Sequence, residues 1–510
     1  MKPRFYITTP IYYVNGTPHI GHAYTSIATD ALARWKRLDG FDVFFLTGTD
    51  EHGQKVEQAA QEQGLDPQAF TDRVSADFAD MTRKMGVSND QWIRTTEERH
   101  KRSCAELWRR IEAAGDIYLG QYEGWYAVRD EAFYDEAELT TLPDGTKQAP
   151  SGAPVAWVRE PSYFFRLSAW QDRLLKFYED HPEFIAPNSR RNEVMSFVRG
   201  GLRDLSISRT TFNWGVPVPG APGHVMYVWL DALTNYITAC GFPDESDPRW
   251  KRYWPADVHI VGKDIIRFHA VYWPAFLMSA GLAPPRRVSS LGWWLVDGAK
   301  MSKSLGNVVE PRKMAETYGL DQLRYYLLRD KPFGADGSMS HQAIVTRINV
   351  ELANDLGNLA QRSLTLIARN GGGQRPGRGP VTEDDTGLLD AAAALPGHVR
   401  ACMDQQTFHE ALEEVWKVIR AANGYIDRQA PWALARTDRE RMGAVLRVLA
   451  DVLRAVATVL QPFMPESMAK MLDQLGVPAE ARMLADLAVP LPDGVVLPPP
   501  QGVFPRYVEP

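Results

Sequence analysis

Two short clusters carry residues whose types and spacing suit phosphate chemistry: Pro18-His19-Ile20-Gly21-His22 near the start and Lys300-Met301-Ser302-Lys303-Ser304 far downstream. The first follows an apolar β-branched run, Phe5-Tyr6-Ile7-Thr8-Thr9, and a turn cluster, Asn15-Gly16-Thr17-Pro18. It precedes a stretch from Ala23 to Leu38 whose periodicity predicts a helix. A helix start offers N–H groups without intrahelical partners and the positive end of the dipole, and Gly21 permits close approach of a nucleotide. His19 and His22 add side-chain donors. The second cluster is bracketed by Gly298 and Gly306, which predicts a mobile loop able to close lysines over a pyrophosphate. Taken singly, His-x-x-His reads as a surface pair and Lys-x-x-Lys as a solvated face. Their joint occurrence, in this order and context, points to ATP.

The elements that must hold these clusters follow from the texture of the chain. Residues 1–115 alternate apolar runs with helical stretches, for example Asp42-Val43-Phe44-Phe45-Leu46-Thr47 after the helix ending near Leu38, a βαβ pattern that implies a parallel sheet. Residues 116–224 turn aromatic and turn-rich and read as an inserted mixed α/β domain. The βαβ texture resumes over 225–290 and includes Asp257-Val258-His259-Ile260-Val261-Gly262, so the insertion splits the catalytic sheet. Residues 291–345 carry the lysine loop and a connecting region. From 346 to 510 long helical segments, Arg347 to Arg369, Leu388 to Met403, Phe408 to Arg428 and Arg439 to Leu460, predict a bundle with a C-terminal tail. Asn370 to Pro380 reads as a flexible loop between bundle helices, and Pro498-Pro499-Pro500 as an extended surface segment. The expected fold is therefore α/β, a Rossmann-type parallel sheet split by an inserted connective domain and followed by an α-helical bundle.

A His-Ile-Gly-His signature followed by Lys-Met-Ser-Lys-Ser resembles the class I aminoacyl-tRNA synthetases. Four further segments are similar to the methionyl-tRNA synthetase family: Thr47-Gly48-Thr49-Asp50-Glu51-His52-Gly53, Leu202-Arg203-Asp204-Leu205-Ser206-Ile207-Ser208-Arg209, Tyr227-Val228-Trp229-Leu230-Asp231-Ala232 and Val261-Gly262-Lys263-Asp264-Ile265-Ile266-Arg267-Phe268-His269. The resemblance runs from about Tyr6 to about Pro465. It implies activation of L-methionine with ATP and Mg²⁺ to an adenylate, then transfer to the terminal ribose 2′-hydroxyl of initiator and elongator tRNA(Met). Joining a carboxylate to the α-phosphate needs no side-chain base, only alignment and charge stabilisation. The resemblance assigns that work to His19, His22, Lys300 and Lys303, and ATP binding to these with Gly21, Gly262, Asp264 and Ser302. Asp264, just after a strand, suits ribose hydroxyls, and on spacing alone it suits a helix cap equally.

The methionine site implied by the resemblance comprises Ile11, Tyr13, Asp50 for the ammonium group, Trp229, Ala232, Leu233, Tyr236, Ile265, Phe268, His269 and Trp273. Trp229, Ala232, Leu233 and Tyr236 follow i, i+3, i+4, i+7 spacing, as do Ile265, Phe268, His269 and Tyr272, so each set lines one helix face. Such stripes are ordinarily core; beside the signatures they suit a polarizable thioether. A competitor shorter by one methyl would be disfavoured by only about 1–3 kcal/mol. In the bundle, Asn358, Arg362 and Trp432 resemble the anticodon-reading positions of the family, Trp432 to stack on a base and the polar side chains to read edges.

Composition fits a globular protein of several domains: 510 residues, 45% hydrophobic and 24% charged. No apolar run of membrane-spanning length occurs, and the start lacks a signal-peptide core, so the cytoplasm is expected and no membrane partner. The net charge of −6 argues weakly against nucleic acid, but arginines gather in the last third: Arg362, Arg369, Arg375, Arg378, Arg420, Arg428, Arg436, Arg439, Arg441, Arg447 and Arg454. The three cysteines, Cys104, Cys240 and Cys402, lie far apart and read as buried thiols. The chain departs from many family members in having no cysteine or histidine between Trp125 and Pro150, so no zinc and no other resident metal is expected; Trp125, Tyr126, Phe133 and Tyr134 are the candidates for an aromatic core there. It also lacks a C-terminal dimerisation module, which favours a monomer. Synthetases for leucine, isoleucine or valine carry an editing domain for which the spacing of His19 and Lys300 leaves no room. An RNA-binding relative without catalysis need not keep both phosphate and amino-acid sites, and a nucleotidyltransferase needs no helix bundle.

Overall fold

The computed structural model describes residues 2–130, 132–296, 298–300 and 308–509. Its frame is a parallel sheet in the order Ile185–Ala186, Val288–Leu291, Val258–Gly262, Arg4–Thr8, Asp42–Asp50, with Tyr12–Tyr13 and Gln91–Arg94 both paired to Asp42–Asp50. The central strands read as continuous apolar runs because helices cover both faces, and Tyr6, Ile7, Phe45 and Leu46 are wholly buried. Ligand-binding segments leave such a sheet at its carboxyl edge, and both Asp50 and Gly262 end their strands there.

The region assigned to the insertion differs from expectation in one respect. Ile185–Ala186, inside 116–224, pairs in parallel with Val288–Ser289 and forms the edge of the main sheet. Two residues are too short for a periodicity to register. The remainder builds its own antiparallel sheet, Leu205–Ser206, Ala156–Phe165, Ile117–Ala127 and Ala132–Tyr134. Its expected aromatic core is only partly one. Tyr126 is buried, but Trp125 packs edge-on to Trp157, which is 52% exposed, and Lys147 lies over its ring. The interior is instead organised around Arg209, 2% exposed, whose guanidinium lies 4.5 Å from the Phe133 ring, 4.6 Å from Tyr227 and 5.6 Å from Tyr126.

The bundle comprises Glu383–Asp404, Phe408–Gln429, Arg439–Leu460 and Pro465–Gln474, with Arg439–Leu460 buried along nearly all its length. The segment expected as one helix from Arg347 to Arg369 is a π-helix over Arg347–Gly357 that continues as an α-helix over Asn358–Asn370. The loop expected to be flexible is pinned: Arg375, 2% exposed, donates to the carbonyls of Pro492, Leu475 and Gly476, while its own N–H bonds to Val495. Arg447 and Arg454, at 2% and 5% exposure, likewise satisfy tail carbonyls at Leu491, Val489 and Asp486. These three arginines are structural struts, which composition alone could not tell from an RNA-facing patch.

Candidate active site and RNA-reading face

The helix of the first signature starts at Ile20 and runs to Leu38. His19 is its N-cap: His19 Nδ1 accepts from the N–H of Gly21 at 3.1 Å, and His22 Nδ1 accepts from the N–H of His19 at 3.1 Å. Both δ nitrogens are thus acceptors, which places each neutral ring's proton on Nε2. Burial and the neighbouring His19 hold the His22 pKa well below its ordinary value, so it is a neutral donor. Gly21 is required by this arrangement, because a Cβ there would stand 2.9 Å from the His19 ring. The rings of His19 and His22 lie 3.8 Å apart.

The first signature is tied by its backbone to the chain just beyond the lysine segment. The N–H of Ile20 donates to the carbonyl of Val309 at 2.9 Å, downstream of the lysine segment. Upstream, Ala299–Lys300 pairs antiparallel with Trp294–Val296, which pairs in parallel with Gly337–Met339. Lys300 is therefore placed by a hairpin; Ser302 and Lys303 lie outside the described residues. Beside the hairpin, Gly262 ends its strand and Asp264 follows, exposed, with Oδ1 accepting from Trp293 Nε1 at 3.5 Å. A Cβ on Gly262 would stand 2.5 Å from that carboxylate oxygen.

One cation here escaped sequence reasoning. Lys331 is 5% exposed, with Nζ 4.5 Å from the Tyr24 ring centre and 5.2 Å from that of Trp294, donating to Ala335 O at 2.8 Å. Burial lowers its pKa to about 7. Nothing in its neighbourhood of sequence, Arg329-Asp330-Lys331-Pro332, distinguishes it from a solvated lysine.

The proposed amino-acid site residues come together on the other side of Asp50. Tyr13 pairs in register with Asp50, which is 7% exposed. Trp229 and Phe268 stack face to face, 3.8 Å apart at 10°. Tyr236 donates its hydroxyl to His269 Nε2 at 2.7 Å; the polarity follows because His269 Nδ1–H donates to Ile265 O at 3.0 Å. Burial lowers His269 to a pKa of about 4, so this imidazole is neutral at physiological pH. Tyr236 in turn stacks on His259 at 4.1 Å. Ala232, Leu233 and Trp273 are buried, and Ile11 and Ile265 are half-buried.

The second stripe is not the straight α-helix that i, i+3, i+4, i+7 spacing suggested. Lys263–Ile265 is a 3₁₀ turn, Phe268–Tyr272 a π-helix, and Trp273–Ser279 an α-helix. Pro274 explains part of this: without an N–H it leaves the Ala270 carbonyl to Tyr178, whose hydroxyl donates to it at 2.6 Å. The first stripe similarly spans two short helices, Val228–Leu233 and Asn235–Thr238.

In the bundle Asn358 is exposed at the start of its helix, and Trp432 is 45% exposed, immediately after Pro431 and the left-handed Ala430 (φ 41°). Arg362 lies 5.2 Å from the Trp432 ring centre and donates to Asp427 at 2.7 Å. The three share one face.

Known proteins are similar to this chain over nearly its whole length. Residues 5–364 match the family described as tRNA synthetases class I (M), and residues 376–509 match the anticodon binding domain of methionyl tRNA ligase. A methionine–tRNA ligase of Mesorhizobium japonicum is 59% identical over all of this chain and 98% of its own. One from Brucella suis is 58% identical over all of this chain and 99% of its own. Among solved structures, the methionyl-tRNA synthetase of Mycobacterium tuberculosis in complex with methionyl-adenylate superposes with a TM-score of 0.97 at 55% identity, over 99% of this chain and 100% of that one. The free form of that enzyme superposes with a TM-score of 0.91 at 51% identity, over 100% of this chain and 99% of that one.

Proposed function

We propose how this site works from one premise: the chain belongs to the class I tRNA synthetase (M) family, and it is a methionine–tRNA ligase. It activates L-methionine with ATP to methionyl-adenylate and pyrophosphate, then transfers the methionyl group to the terminal ribose of tRNA, at the 2′-hydroxyl. The observation that carries the reading is the likeness over nearly the whole chain to a structure holding methionyl-adenylate.

In the first step the methionine carboxylate attacks the α-phosphorus of MgATP and the P–O bond to pyrophosphate breaks. Asp50 receives the ammonium group, and Ile11, Tyr13, Trp229, Ala232, Leu233, Ile265, Phe268 and Trp273 enclose the side chain. Tyr236 and His269, both neutral and bonded to each other, face the thioether with polarizable rings rather than charge, which disfavours a carboxylate or ammonium side chain. His19 and His22 direct Nε2–H donors at phosphate oxygens, aided by the helix dipole behind them, and Lys300, Ser302 and Lys303 neutralise the departing pyrophosphate. Gly21 and Gly262 admit the nucleotide backbone-close, and Asp264 accepts from ribose hydroxyls. Mg²⁺ arrives on the nucleotide as part of the substrate. Asn358, Arg362 and Trp432 read the anticodon of initiator and elongator tRNA(Met), with Trp432 offering its exposed face for stacking. We further propose a cytoplasmic monomer; among the described residues no helix is long and apolar enough to cross a membrane.

The test is amino-acid-dependent ATP–pyrophosphate exchange with methionine, leucine, isoleucine, valine and cysteine in parallel. Exchange with methionine alone, abolished by EDTA and surviving a zinc-selective chelator, is the expected result. Exchange with none of the five, or dependence on zinc, would contradict it.

A further inference from the structure

Asp231 lies in the middle of Val228–Leu233, the helix that carries Trp229, Ala232 and Leu233, and is fully buried. At 3.6 residues per turn it stands about 200° round from Trp229, on the rear of the proposed methionine wall. There it bridges two histidines from separate elements. Oδ2 is 2.7 Å from His52 Nδ1, and Oδ1 is 2.7 Å from His100 Nε2. His52, 3% exposed, is two residues beyond Asp50 on the loop leaving the central strand; His100, wholly buried, belongs to Glu98–Ala113. His100 Nδ1 then faces Thr238 Oγ1 at 3.3 Å, on the helix that carries Tyr236. The same loop is fixed from the insertion side, where Trp214 Nε1 donates to Glu51 O at 2.5 Å and the Gly53 N–H to Trp214 O at 2.9 Å. Burial would raise the Asp231 pKa, but His52 and His100 outweigh it and hold the carboxyl below its ordinary value, so Asp231 is a carboxylate.

We propose that Asp231 is a positioning residue for methionine: through His52 and His100 it sets the distance between the Asp50 carboxylate and the aromatic wall, and thereby tunes amino-acid affinity without touching ATP. The proposal rests on the pocket assignment made above. A buried carboxylate is costly, and a purely packing role at the rear of this helix would be served better by an apolar residue. His100 Nε2, Cys104 Sγ and Asp231 Oδ1 also lie within 4.8 Å of one another, a donor set that zinc accepts. The 2.7 Å between nitrogen and oxygen is the spacing of a shared proton, however; two such ligands of one tetrahedral zinc, each at about 2.0 Å, would stand roughly 3.3 Å apart.

The experiment measures Asp231→Asn, His52→Gln and, as reference, Trp229→Ala in methionine-dependent exchange, varying methionine at saturating ATP and the reverse, with thermal melts of each. Asp231→Asn and His52→Gln are expected to raise the methionine KM about tenfold, equivalent to ~1.4 kcal/mol, while the ATP KM stays within about twofold and the melting temperature is nearly kept. A methionine KM unchanged in a folded variant would overturn the proposal. So would methionine and ATP KM values rising together with a lowered melting temperature, or loss of fold in both variants, since Asp231 would then be a pillar of the fold. Stoichiometric zinc in the parent protein, lost in Cys104→Ser, would replace the shared proton by a metal and overturn it too. If Trp229→Ala also leaves methionine KM unchanged, the pocket assignment itself has failed; if only Asp231→Asn and His52→Gln do, this inference alone has failed.

Discussion

Tyr236 and His269 illustrate what single residues contribute and what sequence could say of them. Their positions on the two stripes were legible from spacing, but the direction of the hydrogen bond was not, because it depends on Ile265 O taking His269 Nδ1–H. With a pKa of about 4, His269 stays a neutral imidazole, protonated on Nδ1 alone, across the physiological range. His269 is therefore expected to add no titration of its own to methionine KM between about pH 5.5 and 8, so the KM–pH profiles of the parent and of His269→Gln, read by exchange kinetics, should have the same shape over that range. In the unfolded chain this histidine recovers its ordinary value of 6.5, so its contribution to stability is lost as pH falls from 6.5 to about 4. Tyr236→Phe would strand His269 Nε2 in the interior at a cost of about 1–3 kcal/mol, expected as a lowered melting temperature with a raised methionine KM. Lys331 has the opposite history: invisible in sequence, it is a buried amine beneath the lysine hairpin. Its pKa falls from 10.5 to about 7, so between those values the unfolded chain carries a proton the folded chain lacks, and stability rises with pH across that window. The melting temperature of the parent minus that of Lys331→Met is expected to increase from pH 6 to pH 10; a constant difference would mean that Lys331 keeps its charge in the fold.

Elements were legible where a period is long and failed where it is broken. The strand, turn and helix around His19 were predicted to within three residues, and the structure adds why they serve chemistry: a histidine N-cap folds back over Gly21 and fixes both tautomers. The π-helix at Phe268–Tyr272 and the one at Arg347–Gly357 were read as α, since a widened turn leaves the apolar spacing nearly intact. The arginines of the last third read either as an RNA-contacting cluster or, residue by residue, as solvated helix faces, and packing separates struts such as Arg375 from surface groups such as Arg362. The helix of the first signature is also fastened along its length. Asp30, wholly buried, accepts from Arg324 Nη2 at 2.7 Å and Arg34 Nε at 2.7 Å, and Arg324, equally buried, donates to Pro462 O and Phe463 O at the end of the bundle's central helix. Arg324→Met leaves Asp30 short of a partner in the interior and is expected to cost about 3–5 kcal/mol, read as a fall in the urea midpoint; a loss under ~1 kcal/mol would show that the pair is dispensable.

At the scale of the whole molecule the sheet and the bundle are joined through that same helix. Lys36 Nζ bonds Asp404 at 2.6 Å and Arg400 bonds Asp39 at 2.7 Å, so its far end meets the bundle as its start meets Val309. This arrangement was not legible from sequence, where the bundle appeared only as a run of helices after the catalytic region. These ion pairs tie the half that carries the proposed amino-acid site to the bundle that carries the proposed RNA-reading face. Trp432→Ala is accordingly expected to leave methionine-dependent exchange unchanged while weakening tRNA by about 1–3 kcal/mol, the worth of one stacked base. Activation of methionine at the sheet and selection of tRNA at the bundle are tested together by kcat/KM for charging a tRNA(Met) transcript and the same transcript with its anticodon replaced. Charging of the first with methionine, reduced about a hundredfold or more in the second, ~2.7 kcal/mol, is the expected result. Equal charging of both, or no charging of either by a protein active in exchange, would contradict it.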